Sequence, residues 1–392
     1  MKDTYLYWKQ QWLDRIALPA VDKKMAKKAS HRFNDTVLIV KLDAIGDYIL
    51  FRQYLPFLVN HFKQQGKEVH LLGNQIWKGI CEELDAHLFD KVTYINRLDF
   101  TRKPAYRENI FESLLHERYE TIVHSSYHRL FWIDSISKVL QPKNSYASSG
   151  GNLNMTLQEL AKSAEWHTKI SYADPVIKHE FLRGAEFTEG ILVTPCILHY
   201  QFPRLEKKLK VDLPPHYIVI FCGAGAEMRK WPVSRYAEMA EWFIDQGFEI
   251  VLPGAEADAA MCQEILNKIS TEHQSKVHNI AGKTNLVETA SLIGKAQLVF
   301  GNETGFVHAA IGMDIPTVCL AGTHHIGYFV PYPKMLRKNL ITLTAANQSA
   351  DYKEENWENL QKMQANFPVQ GISLEKAKEA SSTLLKQITV TQ

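Results

Sequence analysis

Long apolar runs are missing from this sequence of 392 residues. No stretch approaches the ~18–20 consecutive apolar residues that a membrane-spanning helix requires. The first residues also lack a secretory h-region, because Lys9, Asp14 and Arg15 interrupt them. Charge of one sign is not in excess either: 45 Lys and Arg stand against 43 Asp and Glu, a net charge of +2. That balance argues against a dedicated nucleic-acid binder. The five cysteines are odd in number, widely spaced and without a C-x-x-C pair. A disulfide framework and a structural zinc or iron site are therefore not expected, and a reducing, cytoplasmic setting is. Low-complexity tracts are absent as well. What remains is a globular composition, long enough for two domains that each bury a core.

Residues 1–34 differ from the rest and read as a basic, amphipathic N-terminal extension. Tyr5, Trp8, Trp12 and Ile16 recur at helical spacing, followed by Lys23, Lys24, Lys27, Lys28 and Arg32. Such a segment suits a helix lying on an anionic membrane surface. It equally suits a helix docked on the protein body with a solvated basic linker after it.

From Thr36 an α/β pattern begins. Thr36–Asp43 is a nearly continuous apolar run, as in a parallel strand buried on both faces, and it meets a Gly46-Asp47 turn. A helical period then runs to about Phe62, with Gly66 ending it. Strand-like runs follow at Glu68–Gly73, Lys91–Ile95 and Thr121–Ser125. Tyr200–Pro215 is rich in charge and proline and marks a boundary between domains. The pattern restarts with strands at Tyr217–Cys222, Phe248–Leu252, Ala296–Phe300 and Thr317–Leu320, with helices between them and Gly247 at a helix C-terminus. The fold class is thus α/β, with two doubly wound parallel domains. They span residues 35–205 and 206–370, and a helix in 371–392 is free to cross back to the first domain. Open sheets of this kind bind ligands beyond their strand C-termini, and two such halves facing one another make a central cleft.

Three places carry chemistry in the later half. Gly301-Asn302-Glu303-Thr304-Gly305-Phe306-Val307-His308 joins a strand to a helix, whose free amides and positive dipole end favour a phosphate. The plain alternative is an ordinary turn with Thr304 as N-cap. The loop with Gly223 and Gly225 holds a fragment of the dinucleotide fingerprint without its third glycine. Lys230 in that loop, just before Pro232, could neutralise a diphosphate leaving group, or be a surface lysine. Glu256 follows the second strand, where a carboxylate can accept from a ribose diol or serve a helix dipole. In the earlier half, Asp47 is placed to take a proton from a hydroxyl, although capping is the commoner role of an Asp at a turn, and Asp43 is a second carboxylate nearby. His124, Tyr127, His128 and Arg129 form a polar cluster that could contact an acceptor.

These segments together resemble glycosyltransferase family 9, the ADP-heptose:lipopolysaccharide heptosyltransferases. The resemblance rests on VLIVKLDAIGDYILF, IVIFCGAGAEMRKWPVSRYAEMAEWF, VLPGAEAD, NIAGKTNLVETASLIGKAQLVFGNETGFVHAAIGMDIPTVCLAGTH and YFVPYP, in that order, between Thr36 and Pro333. It implies a two-domain GT-B fold, inverting transfer without an obligatory metal or other cofactor, a nucleotide-sugar donor with ADP-heptose favoured, and a glycolipid or oligosaccharide acceptor of lipopolysaccharide or lipooligosaccharide core. It makes Asp47 the general base, Lys230 the phosphate contact, Glu256 the ribose contact, and Glu303, Thr304, Gly305 and His308 part of the donor loop. A cytoplasmic location, peripheral to the inner face of the membrane, fits such an acceptor. The family loop usually carries Asp where Glu303 stands, and His-Pro-Gly where Phe221-Cys222-Gly223 stands. Lys143–His199 matches no part of the pattern. Transfer from another nucleotide-sugar to capsule, O-antigen or protein is the main alternative. A nicotinamide-dependent oxidoreductase and a non-catalytic nucleotide-sugar binder are the others.

Overall fold

The near-continuous apolar runs become buried parallel strands. The computed structural model describes residues 16–151, 154–196, 199–322, 326–333, 336, 339–345 and 368–391. By its internal contacts the chain divides into two units, Met1–Val176 with Glu180–Leu198, and Ile177–His179 with His199–Gln392.

The first unit carries strands β1 (Asn34–Lys41), β2 (Glu68–Asn74), β3 (Lys91–Ile95), β4 (Tyr119–His124), β5 (Asn144–Ser148) and β6 (Lys169–Ser171). They form one sheet in the order β3-β2-β1-β4-β5-β6, every pair parallel. The second unit carries β7 (Tyr217–Phe221), β8 (Glu249–Leu252), β9 (Val277–Asn279), β10 (Leu298–Asn302), β11 (Thr317–Leu320) and β12 (Leu340–Leu343). Its order, β12-β11-β10-β7-β8-β9, repeats the first read from the other edge. Both are doubly wound, Rossmann-like sheets. In each, the strand order reverses between the first and fourth strands, and a crevice opens there beyond the strand C-termini.

The helix expected to run unbroken from the Gly46-Asp47 turn is interrupted. It forms as Ile45–Phe51 and Leu55–Lys63 around a 3-10 turn at Arg52–Tyr54. Pro56 has no N–H to give to the Arg52 carbonyl, so the ladder must break there. Gly66 and Gly247 both take left-handed conformations, with φ of 75° and 91°, just past helix ends, as a C′ glycine does. The helix before Gly247 starts at Val233, with Pro232 as its N-cap.

The stretch that matched no expected pattern, Lys143–His199, completes the first sheet with β5 and β6 and adds the helices Leu157–Ala164 and Glu180–Leu192. The main part of the second unit runs from His199: the Tyr200 hydroxyl donates to the His308 carbonyl at 2.7 Å, and the Phe202 amide to that of Gly312 at 2.9 Å. The final helix is Leu374–Thr391. Ala377, Ala380 and Leu384 are buried in the core of the second unit.

Of the N-terminal extension, Tyr5, Trp8 and Trp12 lie outside the described residues. Its described helix, Leu18–Ala26, is docked by Leu18, Val21 and Met25. Asp22 accepts from the buried Arg107 guanidinium at 2.6 and 2.9 Å. Lys24 and Lys28 pair with Glu108 and Glu112 at 2.5 and 2.6 Å. The five cysteines are buried and free. Among the described residues no helix is long and apolar enough to cross a membrane.

Candidate active site

In the first unit the crevice lies where β1 and β4 end. A cavity of about 90 Å³ there is lined by Asp43, Asp47, Ser126, Tyr127, His128 and Glu180, among others. Asp43 is committed: its carboxylate pairs with the buried Lys41 ammonium at 2.6 Å and accepts from the Ser126 hydroxyl at 2.7 and 2.9 Å. Among the described residues no hydrogen bond or ion pair engages the half-buried Asp47 carboxylate. Burial first, then the Asp43 charge, pushes its pKa up to about 7, against an opposing pull from Lys41. A lone carboxylate of that basicity beside a small cavity can accept a proton near neutrality.

His128 stands 3.0 Å from Glu180, and the Tyr127 ring receives the Arg183 guanidinium at 4.1 Å. The other two members of the expected acceptor cluster lie elsewhere. Arg129 is buried and donates to Asp134 at 3.0 Å, the Ser148 carbonyl at 3.1 Å and Ser163 at 2.7 Å. His124 is buried against Ser137 at 2.8 Å, with burial and the neighbouring His167 holding its pKa down at about 3. Both are buried, tie strands to helices and are not part of the cavity lining. Ser126, Glu180 and Arg97, which line the cavity, went unnoticed in the sequence because nothing in their local spacing marks them.

In the second unit the loops after β7 and β10 converge at the switch point. The Asn302 amide joins them, donating to the carbonyls of Cys222 at 2.7 Å and Gly223 at 3.3 Å. Gly301 is demanded by this approach: a Cβ there would sit 2.2 Å from the Phe221 carbonyl oxygen. Thr304 occupies the N-cap position of the helix Gly305–Gly312, yet its side chain makes no capping bond, and its buried hydroxyl oxygen has no partner. The Val307 and His308 amides donate to the Thr304 carbonyl at 3.1 and 3.3 Å, which leaves the Gly305 and Phe306 amides of the first turn without an intrahelical acceptor. Unpaired donors and the positive dipole end thus share one spot.

Lys230 lies on the neighbouring loop and donates to Glu227 at 2.9 Å, a carboxylate that is 87% exposed. So exposed a pair contributes at most about 1 kcal/mol and leaves the lysine free to turn to another anion. The loop is held from below, where Trp231 donates to the Ile372 carbonyl at 2.9 Å and Gln370 to that of Lys230 at 2.7 Å. A Cβ on Gly225 would make only ordinary contact, with the Arg229 side chain at 3.8 Å, whereas one on Gly223 would meet the Asp258 carboxylate at 2.5 Å. Glu256 is exposed at the end of β8, its carboxylate lying over Gly282.

Glu303 and His308 are not free for a ligand. Glu303 is buried and accepts from Arg229 at 2.8 Å and from His308 Nε2–H at 2.9 Å. Fully buried His308 accepts in turn from the Tyr332 hydroxyl at 2.7 Å through Nδ1. A carboxylate can only accept, and this fixes the tautomer. The chain Arg229–Glu303–His308–Tyr332 therefore braces the loop after β10 from inside. Among the described residues no group of three His, Cys, Asp or Glu is disposed to hold a metal ion.

Residues 198–380 match the model of the family described as Glycosyltransferase family 9 (heptosyltransferase). The likeness read from the sequence thus holds across nearly all of the second unit. Lipopolysaccharide heptosyltransferase 2 of Escherichia coli (strain K12) is 37% identical over 105 residues, 26% of this chain; the match spans 30% of that relative's length. The structure of E. coli ADP-heptose lps heptosyltransferase II superposes with a TM-score of 0.65 at 17% identity, covering 90% of this chain and 99% of the other. E. coli heptosyltransferase WaaC with ADP-2-deoxy-2-fluoro heptose superposes with a TM-score of 0.56 at 16% identity, covering 84% and 100%. At such identities the superpositions establish the fold, two Rossmann-like domains of the GT-B kind.

Proposed function

We propose that this chain is an inverting glycosyltransferase that moves a sugar, heptose from ADP-heptose, onto a hydroxyl of a lipopolysaccharide or lipooligosaccharide core acceptor. The observation that carries the reading is the concentration of unengaged donors at the second sheet's switch point. These are the Gly305 and Phe306 amides that open the helix Gly305–Gly312, the partnerless Thr304 hydroxyl and the loosely held Lys230. The family match over that unit and the adenosine diphosphate sugar on the WaaC neighbour support the choice of donor.

In this mechanism the acceptor oxygen attacks the anomeric carbon while the bond from that carbon to the diphosphate oxygen breaks. The bonding pair leaves on the nucleoside diphosphate, where Lys230 and the helix amides take up the growing charge. The acceptor proton passes to Asp47, whose raised pKa suits general-base work near neutrality. Glu256 accepts from the ribose diol. Arg229, Glu303 and His308 keep the loop in shape so that its donors need not reorganise during the reaction. Tyr127 and His128 border the acceptor hydroxyl. A lipid-linked acceptor places the enzyme on the cytoplasmic face of the membrane, where exposed Lys23 and Lys27 supply cations toward anionic headgroups.

A thermal-shift panel of ADP-, UDP-, GDP- and CMP-linked sugars tests the donor. A ligand bound to the folded state raises stability by mass action, about 2.7 kcal/mol at a hundred times Kd. The ADP-linked sugar is expected to give the largest shift, and Lys230→Ala to diminish it. The absence of a shift with every nucleotide-sugar would overturn the reading.

A further inference from the structure

A second cavity in the first unit, about 510 Å³ in volume, is left unused by the reaction just described. Its size lies within the roughly 300–1,000 Å³ of sites that enclose a small molecule. Leu130 and Asn154 line both this cavity and the one holding Asp47, so the two adjoin. The walls mix polar groups with an apolar part made of Leu18 from the docked N-terminal helix, Phe131 and Trp132 from the helix Phe131–Leu140, and Trp166 beyond Leu157–Ala164. Phe131 and Trp166 pack on one another with ring centroids 4.9 Å apart.

The charges in the lining do not cancel. Arg107 and Asp22 neutralise each other, and Glu159 is turned onto Thr156, accepting from its amide at 2.8 Å and its hydroxyl at 2.9 Å. Lys138 and Lys162 are exposed and rest on the rings of Trp166 and Phe131, at 5.1 and 5.9 Å. Among the described residues no carboxylate pairs with either. With Arg107, Lys138 and Lys162 against Asp22 and Glu159 the lining is net positive, and such a hollow with an aromatic wall complements an amphiphile that has one chain and an anionic group.

We propose that this cavity is a lipid subsite, taking an acyl chain of the acceptor glycolipid with an anionic group of the same molecule held between Lys138 and Lys162. It positions the acceptor so that its sugar enters the adjoining Asp47 cavity. Identifying the occupant as acceptor rests on the transferase reading; the binding itself requires no donor.

The test is calorimetric titration of the full chain with dodecyl phosphate below its critical micelle concentration, beside inorganic phosphate and dodecyl maltoside. Dodecyl phosphate should bind saturably, with one site. Its affinity should fall about ten-fold or more in Lys138→Glu/Lys162→Glu and in Trp166→Ala, with melting temperatures confirming that both variants fold. Neither comparison ligand should bind as well. Failure of dodecyl phosphate to bind, as when the chain's own first residues or a second copy fill the hollow, would overturn the subsite. So would equal binding by inorganic phosphate, equal binding by the neutral maltoside, or unchanged affinity in both variants. If the nucleotide-sugar shift persists while dodecyl phosphate does not bind, the subsite alone falls. If dodecyl phosphate binds but no nucleotide-sugar does, the transferase reading falls instead.

Discussion

A carboxylate becomes a useful base when its surroundings resist its charge, and Asp47 and Asp43 divide that work. Asp43 is held by Lys41 and Ser126, and its charge together with burial raises the Asp47 pKa to about 7 from an ordinary 3.8. A turn after the buried strand was legible in the sequence, although Gly46 and Asp47 lie in the first turn of the helix Ile45–Phe51 rather than ahead of it. The commitment of Asp43 was not, because Ser126 lies 83 residues further along the chain. Two outcomes follow from the shift. Between about pH 4 and pH 7 the folded chain keeps a proton that the unfolded chain releases, so this group's stabilisation is full below that window. It is lost as pH rises through about 7. Asp47→Asn should consequently melt higher than the wild type at pH 8, the difference shrinking by pH 5 in a calorimetric series. Lys230→Ala should leave the fold intact, since its exposed partner Glu227 contributes little, and weaken ADP binding measured by isothermal titration.

At the scale of elements, the sequence disclosed buried strands and capped helices well and internal polar networks poorly. The helix Gly305–Gly312 and strand β11 fall where the hydrophobic pattern puts them. Strands β5 and β6 did not announce themselves, because Asn144-Ser145 and Lys169 break the apolar run while their polar groups find partners such as Thr168. Arg129 and His124 looked like surface contacts for the same reason: their partners Ser163 and Ser137 come from later helices. The close passage of β10 beside β7 makes a sharp prediction. Gly301→Ala forces a methyl against the Phe221 carbonyl and should destabilise the chain by about 1–3 kcal/mol in chemical denaturation, as overpacking does. The docked N-terminal helix makes another. Asp22→Ala strands the buried Arg107 charge and should cost about 3–5 kcal/mol in the same assay.

Taken whole, the chain repeats one strand order twice and sets its chemistry at the two points where that order reverses. The first half supplies a carboxylate of raised basicity, the second an unpaired Thr304 hydroxyl at a helix N-terminus, which the proposed reading gives to a diphosphate. Alternating strands and helices made this duplication readable before any coordinates. The division of roles inside the loop after β10 was not readable, because only packing reveals that Glu303 and His308 face inward while Thr304 is left unpaired. The most direct test is the pH dependence of kcat/KM for heptose transfer from ADP-heptose to a lipid-linked core acceptor, measured for the wild type and Asp47→Asn. Activity should rise with pH through about 7, and the variant should lose about a hundred-fold or more while still binding ADP. Transfer that is absent altogether, or undiminished in the variant, would contradict the account.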